Sequence, residues 1–427
     1  MKKRLFNIIL LVPFILAIIG CDFIENRYGG SVEVRYVGDE KEGYYEVVLN
    51  YNRDSDYHMG QLYGKTLVTQ YPALEAGFAS YVSDLPAAEY DAMMARVQQV
   101  KNQIPQEYRK FINGLAGKFN GGTSNNKDDG LLSVDEVYYF SLISEIHRST
   151  QCSMVAVYNS ASDTGKPIIG RLVDWSGMPN SAVFYIRKGN KKIMSIGPSL
   201  LTLSVTTGLS KNGIFAAVLD SPTGAPFPDL SADTYYSYHF DLRHALENYS
   251  TINDIANYLS QRKYTFNHLV VIGDADTVKV LENDLSGTRA LRDSTSGLRT
   301  GITWEIADAI AAVNAFLLTG NFDNFSISPF NTFRWQSIRE QLALYKSLDN
   351  TITVEDMKAI ATYYGTDINQ LTDGVIMNSI TQQIVIYDSI KSSLKIFFRN
   401  NRAVGTANNA GTFDVDNPEF LDVPVQF

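Results

Sequence analysis

Cysteine is the scarcest reactive residue of this 427-residue chain, present only as Cys21 and Cys152. Two thiols so far apart supply neither a four-ligand zinc site nor a disulfide framework. Histidine is nearly as rare. His58, His147, His239, His244 and His268 show no H-x-x-x-H spacing, so no metal and no other cofactor is expected. Residues 125–136 imitate a calcium loop, with Asp129, Gly130 and Glu136 in register, but Lys127 stands where an acidic ligand is needed. Basic charge is short as well. Against 46 Asp and Glu there are 37 Lys and Arg, a formal net charge of −9, and no nucleic-acid partner is expected. Repeated βα units are missing, which argues against a two-lobed solute-binding protein.

What is present is a globular composition, 45% hydrophobic and 19% charged. Met1-Lys2-Lys3-Arg4 is a basic start, and Ile8 to Ile19 is an apolar run too short to span a bilayer. Together they read as an export signal over residues 1–20. The signal ends Ile18-Ile19-Gly20-Cys21, which is similar to a bacterial lipobox. That resemblance implies cleavage before Cys21, acylation of Cys21, and a protein anchored by lipid to a membrane of the bacterial cell envelope. An ordinary signal peptide with a chance cysteine is the alternative.

Alternating apolar residues predict strands over 31–37 and 44–51. A helical period runs from Ala87 to Gly122 in two stripes, Tyr90/Met93/Met94/Val97/Val100 and Tyr108/Phe111/Ile112/Leu115. Ser133-x-x-Glu136 is a capping box opening a helix toward His147. Strands are expected at 182–187, 192–196, 200–206 and 214–219, two helices over 235–258, and a strand-turn-strand over 268–282. Residues 283–303 read as a surface loop. A helix over 353–364 and strands at 380–387 and 395–398 close the chain.

The stretch Gln151 to Trp175, QCSMVAVYNSASDTGKPIIGRLVDW, holds the candidate chemistry. Two β-branched runs flank Asp163-Thr164-Gly165-Lys166-Pro167, the pattern of a β-hairpin. Such a hairpin returns Arg171 and Asp174 to the neighbourhood of Cys152, and a cation beside a thiol lowers its pKa. Read without that pairing, Cys152 is a small buried hydrophobe.

Cysteine followed by a strand, a turn and G-R-x-x-D-W resembles the nucleophile segment of the cysteine N-terminal-nucleophile hydrolases. That superfamily holds penicillin acyltransferase (peptidase family C45), choloylglycine (bile salt) hydrolase and the acid ceramidase and N-acylethanolamine amidase group. The Cys-to-Arg spacing is a few residues longer here, and Ser153 stands where Thr is common. Tyr57 to Gly64 resembles a segment near the start of the C45 precursors. Residues 208–214 resemble the G-x-N-E-x-G-L turn, with Ser210 for Asn, and His268 to Glu282 resembles a further strand pair. The resemblance implies an α+β fold, an αββα sandwich of two mainly antiparallel sheets, with an N-terminal helical prosegment over 21–151 and a core domain over 152–427.

It also implies roles. Cys152 is the nucleophile, freed by self-cleavage of the Gln151–Cys152 bond so that its α-amine serves as base. Asp174 orients that amine, and Arg171 keeps the thiol acidic and helps hold the substrate. Asn314 supplies the oxyanion donor and Arg334 a second arginine, with Asn321 and Asn324 open as alternatives to Asn314. Asp220 stands where choloylglycine hydrolases carry an Asn. A carboxylate there cannot donate to an oxyanion and points to a cationic substrate group, with Trp175 beside it in substrate binding. The expected activity is hydrolysis of a linear amide of a small molecule, or acyl transfer from one. The alternative is a catalytically silent surface lipoprotein that keeps the fold for binding. Oligomeric state is left open.

Overall fold

The computed structural model describes residues 29–38, 43–146, 151–175, 180–221, 234–367, 369, 375–391, 393–399 and 418–427. The signal segment and Cys21 lie outside the described residues. Strands in chain order are β1 (Ser31–Gly38), β2 (Gly43–Asn50), β3 (Gln151–Val157), β4 (Ile168–Asp174), β5 (Ala182–Lys188), β6 (Lys191–Gly197), β7 (Thr207–Ser210) and β8 (Phe215–Asp220). They continue as β9 (His268–Gly273), β10 (Val278–Asn283), β11 (Ala290–Arg292), β12 (Ala309–Ala312), β13 (Thr381–Asp388), β14 (Ser393–Phe398) and β15 (Leu421–Pro424). The helices are α1 (Asp56–Gln70), α2 (Leu74–Ser83), α3 (Ala87–Val100), α4 (Gln106–Ala116), α5 (Val134–Ser141), α6 (Ile143–Ile146), α7 (Tyr238–Asn248), α8 (Ile252–Ser260), α9 (Pro329–Asp349) and α10 (Val354–Ala361).

The strands form two sheets, one ordered β1-β2-β5-β6-β7-β8-β9-β10-β11 and the other β12-β3-β4-β13-β14-β15. Every described pairing is antiparallel except β2 with β5. Three apolar clusters define the layers. The middle one joins inward side chains of both sheets, among them Val183, Ala217 and Val271 from the larger and Met154, Ile169 and Val385 from the smaller. A second packs the larger sheet's other face, through Val47, Phe184 and Ile272, against α1 to α8. A third packs the smaller sheet's outer face, through Leu172, Ala311 and Ile384, against α9 and α10. Period-two alternation gives each strand one face for each neighbouring layer. The result is an αββα sandwich.

The segment before Cys152 is woven into this architecture. β2 pairs with β5 in the larger sheet, and the helices from α1 to α6 cover that sheet's outer face. The capping box forms as expected, Ser133 Oγ accepting from the Glu136 N–H while Glu136 accepts from Ser133 N–H. Gly60, inside the family-like segment Tyr57 to Gly64, lies on α1 where it crosses α4. A Cβ there would stand 2.0 Å from the Phe111 carbonyl oxygen, so glycine lets the two helix backbones touch.

Two expectations are corrected. Leu200 to Thr206 is no strand, because hydroxyls fold it into turns: Ser199 Oγ accepts from the Leu201 N–H at 3.2 Å, and Ser199 O from the Thr202 N–H. Its carbonyls are taken by Tyr63, Ser141 and Arg243 from three helices. The loop 283–303 is only partly surface. It contains β11, and Asn283, Asp284 and Arg292 are buried, Arg292 pairing with Glu282 of β10.

Candidate active site

The β3–β4 hairpin sets Cys152 opposite Val173, Met154 opposite Arg171, and Gln151 opposite Asp174. Cys152 and Met154 face the core between the sheets. Arg171, paired with Met154, therefore points the same way, and its Nη2 donates to the Val218 carbonyl on β8 at 2.7 Å. Its Nη1 donates to Leu172 O, and its positive charge acts to lower the pKa of the Cys152 thiol. Asp174 projects from the opposite face toward α9. All three side chains are buried.

Asn314 owes its place to the end of a ladder. β12 runs antiparallel to β3, with Ala312 opposite Met154. Two residues further the same register sets 314 opposite 152, but the chain turns there, Ala315 N–H donating to Val313 O at 2.7 Å. The Asn314 side chain replaces the missing strand. Its Oδ1 accepts from the Cys152 N–H at 2.7 Å and from Arg334 Nη2 at 2.8 Å, and its Nδ2 donates to Asp220 O. Only this amide orientation satisfies all three bonds, since the first two partners donate and the third accepts. Glu282 steadies the turn by accepting from the N–H groups of Leu317 and Leu318 and from Asn321 Nδ2.

Arg334 sits on α9 and reaches the same residue from the outer layer. Its Nη1 donates to Cys152 O at 2.7 Å and lies 3.3 Å from Asp174 Oδ2. Asn331, one turn earlier, accepts from Arg334 Nη2 at 2.9 Å and donates to Asn314 O at 3.2 Å. Asp174 Oδ1 accepts from Thr381 Oγ1 at 2.6 Å. Burial pushes the Asp174 carboxyl up, opposed by the Arg334 charge and by the hydrogen bond from Thr381.

A pocket opens on the thiol side, walled by Cys152, Arg171, Val173, Trp175, Val218 and Asp220, with Ser144 and His239 from the helical layer, Pro198 and Thr206 completing it. Its volume of about 10 Å³ is room for roughly one water. Burial raises the Cys152 pKa, and the nearby Arg171 and Arg334 cations only partly offset it. The thiol is protonated at neutral pH and needs a base. His239 Nδ1 lies 2.8 Å from the Val205 carbonyl, which fixes the proton on Nδ1 in the neutral ring, and burial lowers its pKa to about 4.

Cys152, Arg171, Asp174, Asn314 and Arg334 thus converge, and Asp220 and Trp175 line the adjoining pocket. Of the alternative asparagines, Asn321 is held by Glu282 and Thr288, while Asn324 bonds Phe316 N–H and Ser221. Only Asn314 among the three bonds Cys152. Asn331, Ser144, Thr206 and His239 were not singled out from the sequence as site residues. An Asn three positions before Arg334 on a helical stretch is the one sequence signal that could have found any of them.

No protein-family model matches the chain, and no curated protein matches it by sequence. Among solved structures, an N-acylethanolamine-hydrolyzing acid amidase ortholog of Caenorhabditis elegans is 13% identical with a TM-score of 0.40, over 56% of this chain and 93% of that one. A mutant conjugated bile acid hydrolase of Clostridium perfringens is 13% identical with a TM-score of 0.38, over 64% and 96%. A penicillin V acylase of Agrobacterium tumefaciens is 11% identical with a TM-score of 0.34, over 58% and 83%. These proteins are of the class that residues 152–175 resemble. At such scores the reading of this chain rests on its own geometry.

Proposed function

We propose that this protein is an amidohydrolase or acyltransferase acting on a small linear amide through Cys152 as an N-terminal nucleophile. The observation that carries the reading is the hold on both backbone atoms of Cys152. Asn314 takes its N–H and Arg334 its C=O, while its thiol and Arg171 line one pocket. A buried structural cysteine needs no such clamp.

In the uncut chain Cys152 N is a peptide nitrogen and cannot accept a proton. Attack of the thiol on the Gln151 carbonyl forms a thioester as the C–N bond breaks and frees the nitrogen as an amine, and hydrolysis of the thioester then releases the thiol and the Gln151 carboxylate. With an ordinary pKa of about 7.7 to 8, the amine takes the thiol proton at neutral pH. Asn314 Oδ1, 2.7 Å from that nitrogen, orients it, and Arg171 stabilises the thiolate. Asp174 supports the arrangement through Arg334. The buried carboxylate of Asp220 favours substrates with an amino group near the scissile bond.

The proposal extends to location, a lipid anchor at Cys21 holding the exported protein to the bacterial envelope. A silent lipoprotein that keeps this fold for binding is the second reading, and the intact Cys152–Arg171–Asn314–Arg334 set favours the enzyme.

Denaturing electrophoresis of active protein should show two bands, the larger beginning Cys-Ser-Met-Val, and Cys152→Ala should run as one inactive band. Full activity in a single uncut chain would refute the mechanism. On the same gels Cys21→Ser should move from the membrane to the soluble fraction with activity unchanged. Continued sedimentation with membranes would remove the lipid anchor.

A further inference from the structure

Every acyl transfer through a thiolate needs a hydrogen-bond donor where negative charge develops on the carbonyl oxygen. The donors around Cys152 are almost all committed. Asn314 Nδ2 is spent on Asp220 O, and its orientation is fixed by two N–H groups on Oδ1. Asp220 is a carboxylate in place of an amide. The outer nitrogens of Arg171 are bonded to Leu172 O and Val218 O.

Tryptophan supplies the exception. The chain has three. Trp304 Nε1 donates to Ala309 O at 2.8 Å and Trp335 Nε1 to Thr303 O at 3.2 Å. Trp175 is 1% exposed, yet its Nε1 has no acceptor among the described residues. Buried indole N–H groups normally find a partner, and an indole nitrogen can only donate. Trp175 lines the same pocket as the Cys152 thiol. Arg171 Nε and Thr206 Oγ1 have no partner there among the described residues either. The first lies at the inner end of a guanidinium fixed by its outer nitrogens, and the second sits on the chain leading into the opposite sheet.

We propose that the Trp175 indole N–H donates to the oxygen of the substrate's scissile carbonyl and is the oxyanion donor of this site, an inference that rests on Cys152 as nucleophile. The Cys152 thiolate adds to the carbonyl carbon, forming a C–S bond as the C=O π pair moves onto oxygen, where Trp175 Nε1–H meets it. The pair then returns and breaks the C–N bond. The leaving amine takes the proton held on the α-amine. Water repeats the addition, and the acid and the free thiol are released.

The test uses processed wild-type protein and p-nitrophenyl acetate as acyl donor. Trp175→Phe should lower kcat roughly 10²- to 10³-fold with KM little changed. Repacking alone would not give the second readout, the indole ¹⁵N–¹H spectrum, whose three resonances are assigned by Trp→Phe at each position. Addition of ¹³C-aldehyde-labelled propanal, which reports its own thiohemiacetal at Cys152, should move the Trp175 resonance and leave those of Trp304 and Trp335 in place. Wild-type kcat in Trp175→Phe, or a Trp175 resonance unmoved by the adduct, overturns the proposal. Cys152→Ala hydrolysing the ester as fast as wild type overturns the nucleophile reading instead.

Discussion

The two faces of the β3–β4 hairpin at Cys152 are built differently. On the outer face Asp174, Arg334, Asn314 and Asn331 form a closed network in which each guanidinium terminal nitrogen has oxygen partners. On the inner face Arg171 bonds two carbonyls, and the pocket beside it keeps an indole N–H and a hydroxyl without partners among the described residues. The outer network, in which Arg334 Nε alone of that guanidinium lacks a partner among the described residues, fixes its members, and unsatisfied buried donors wait for a ligand or a water. The outer face therefore holds the Cys152 backbone still, while the inner face is left able to react.

The largest effect should come from removing charge on the outer face. Arg334→Met, made in Cys152→Ala so that one uncut chain is compared, leaves the Asp174 carboxylate buried without its cation. It should lower the free energy of urea unfolding by about 3 to 5 kcal/mol. Arg171→Met in the same background leaves the Leu172 and Val218 carbonyls without its donors and should cost about 1 to 3 kcal/mol. Equal losses would erase the distinction between the faces.

A pH-dependent effect follows from the titration of three buried groups. Burial lowers His239 to about 4 and His268 to about 3. In the unfolded chain both bind a proton near pH 6.5. Their contribution is whole above that pH and is lost as pH falls toward those values, by up to about 1.4 kcal/mol per pH unit for each. Glu145, which accepts from Ser237 Oγ, the His239 N–H and Thr265 Oγ1, runs the other way. Burial raises it to about 8, so its contribution is whole below its unfolded pKa and fades as pH rises toward 8. Stability measured between pH 4 and 6.5 should thus fall less steeply in His268→Gln and more steeply in Glu145→Gln. Parallel profiles for all three proteins would show that these groups do not titrate differently on folding.

Legibility divides along the range of the interactions. The hairpin from Cys152 to Asp174, the capping box at Ser133 and the helix pair at 238–260 are short-range features written in neighbouring residues, and each forms where the periodicity puts it. The run from Leu200 to Thr206 has strand-like residues, yet three helices compete for its carbonyls and win. No local pattern records that competition.

The sequence by itself determined most of the individual strands and helices and the meeting of Cys152 with Arg171 and Asp174, because alternation and a turn act over a few residues, while the layered sandwich came from resemblance. Resemblance added Asn314 and Arg334 as candidates and left their geometry open. Tertiary structure decided that Asn314 turns its oxygen to Cys152, that Asn331 and Arg334 close the outer network, and that His239 and Thr206 wall the pocket. It alone decided that Trp175 lacks an acceptor among the described residues while Trp304 and Trp335 have one. Hydrogen-bond satisfaction depends on which distant backbone groups packing brings within 3 Å or so, and that is fixed only when the sheets and helices close on one another.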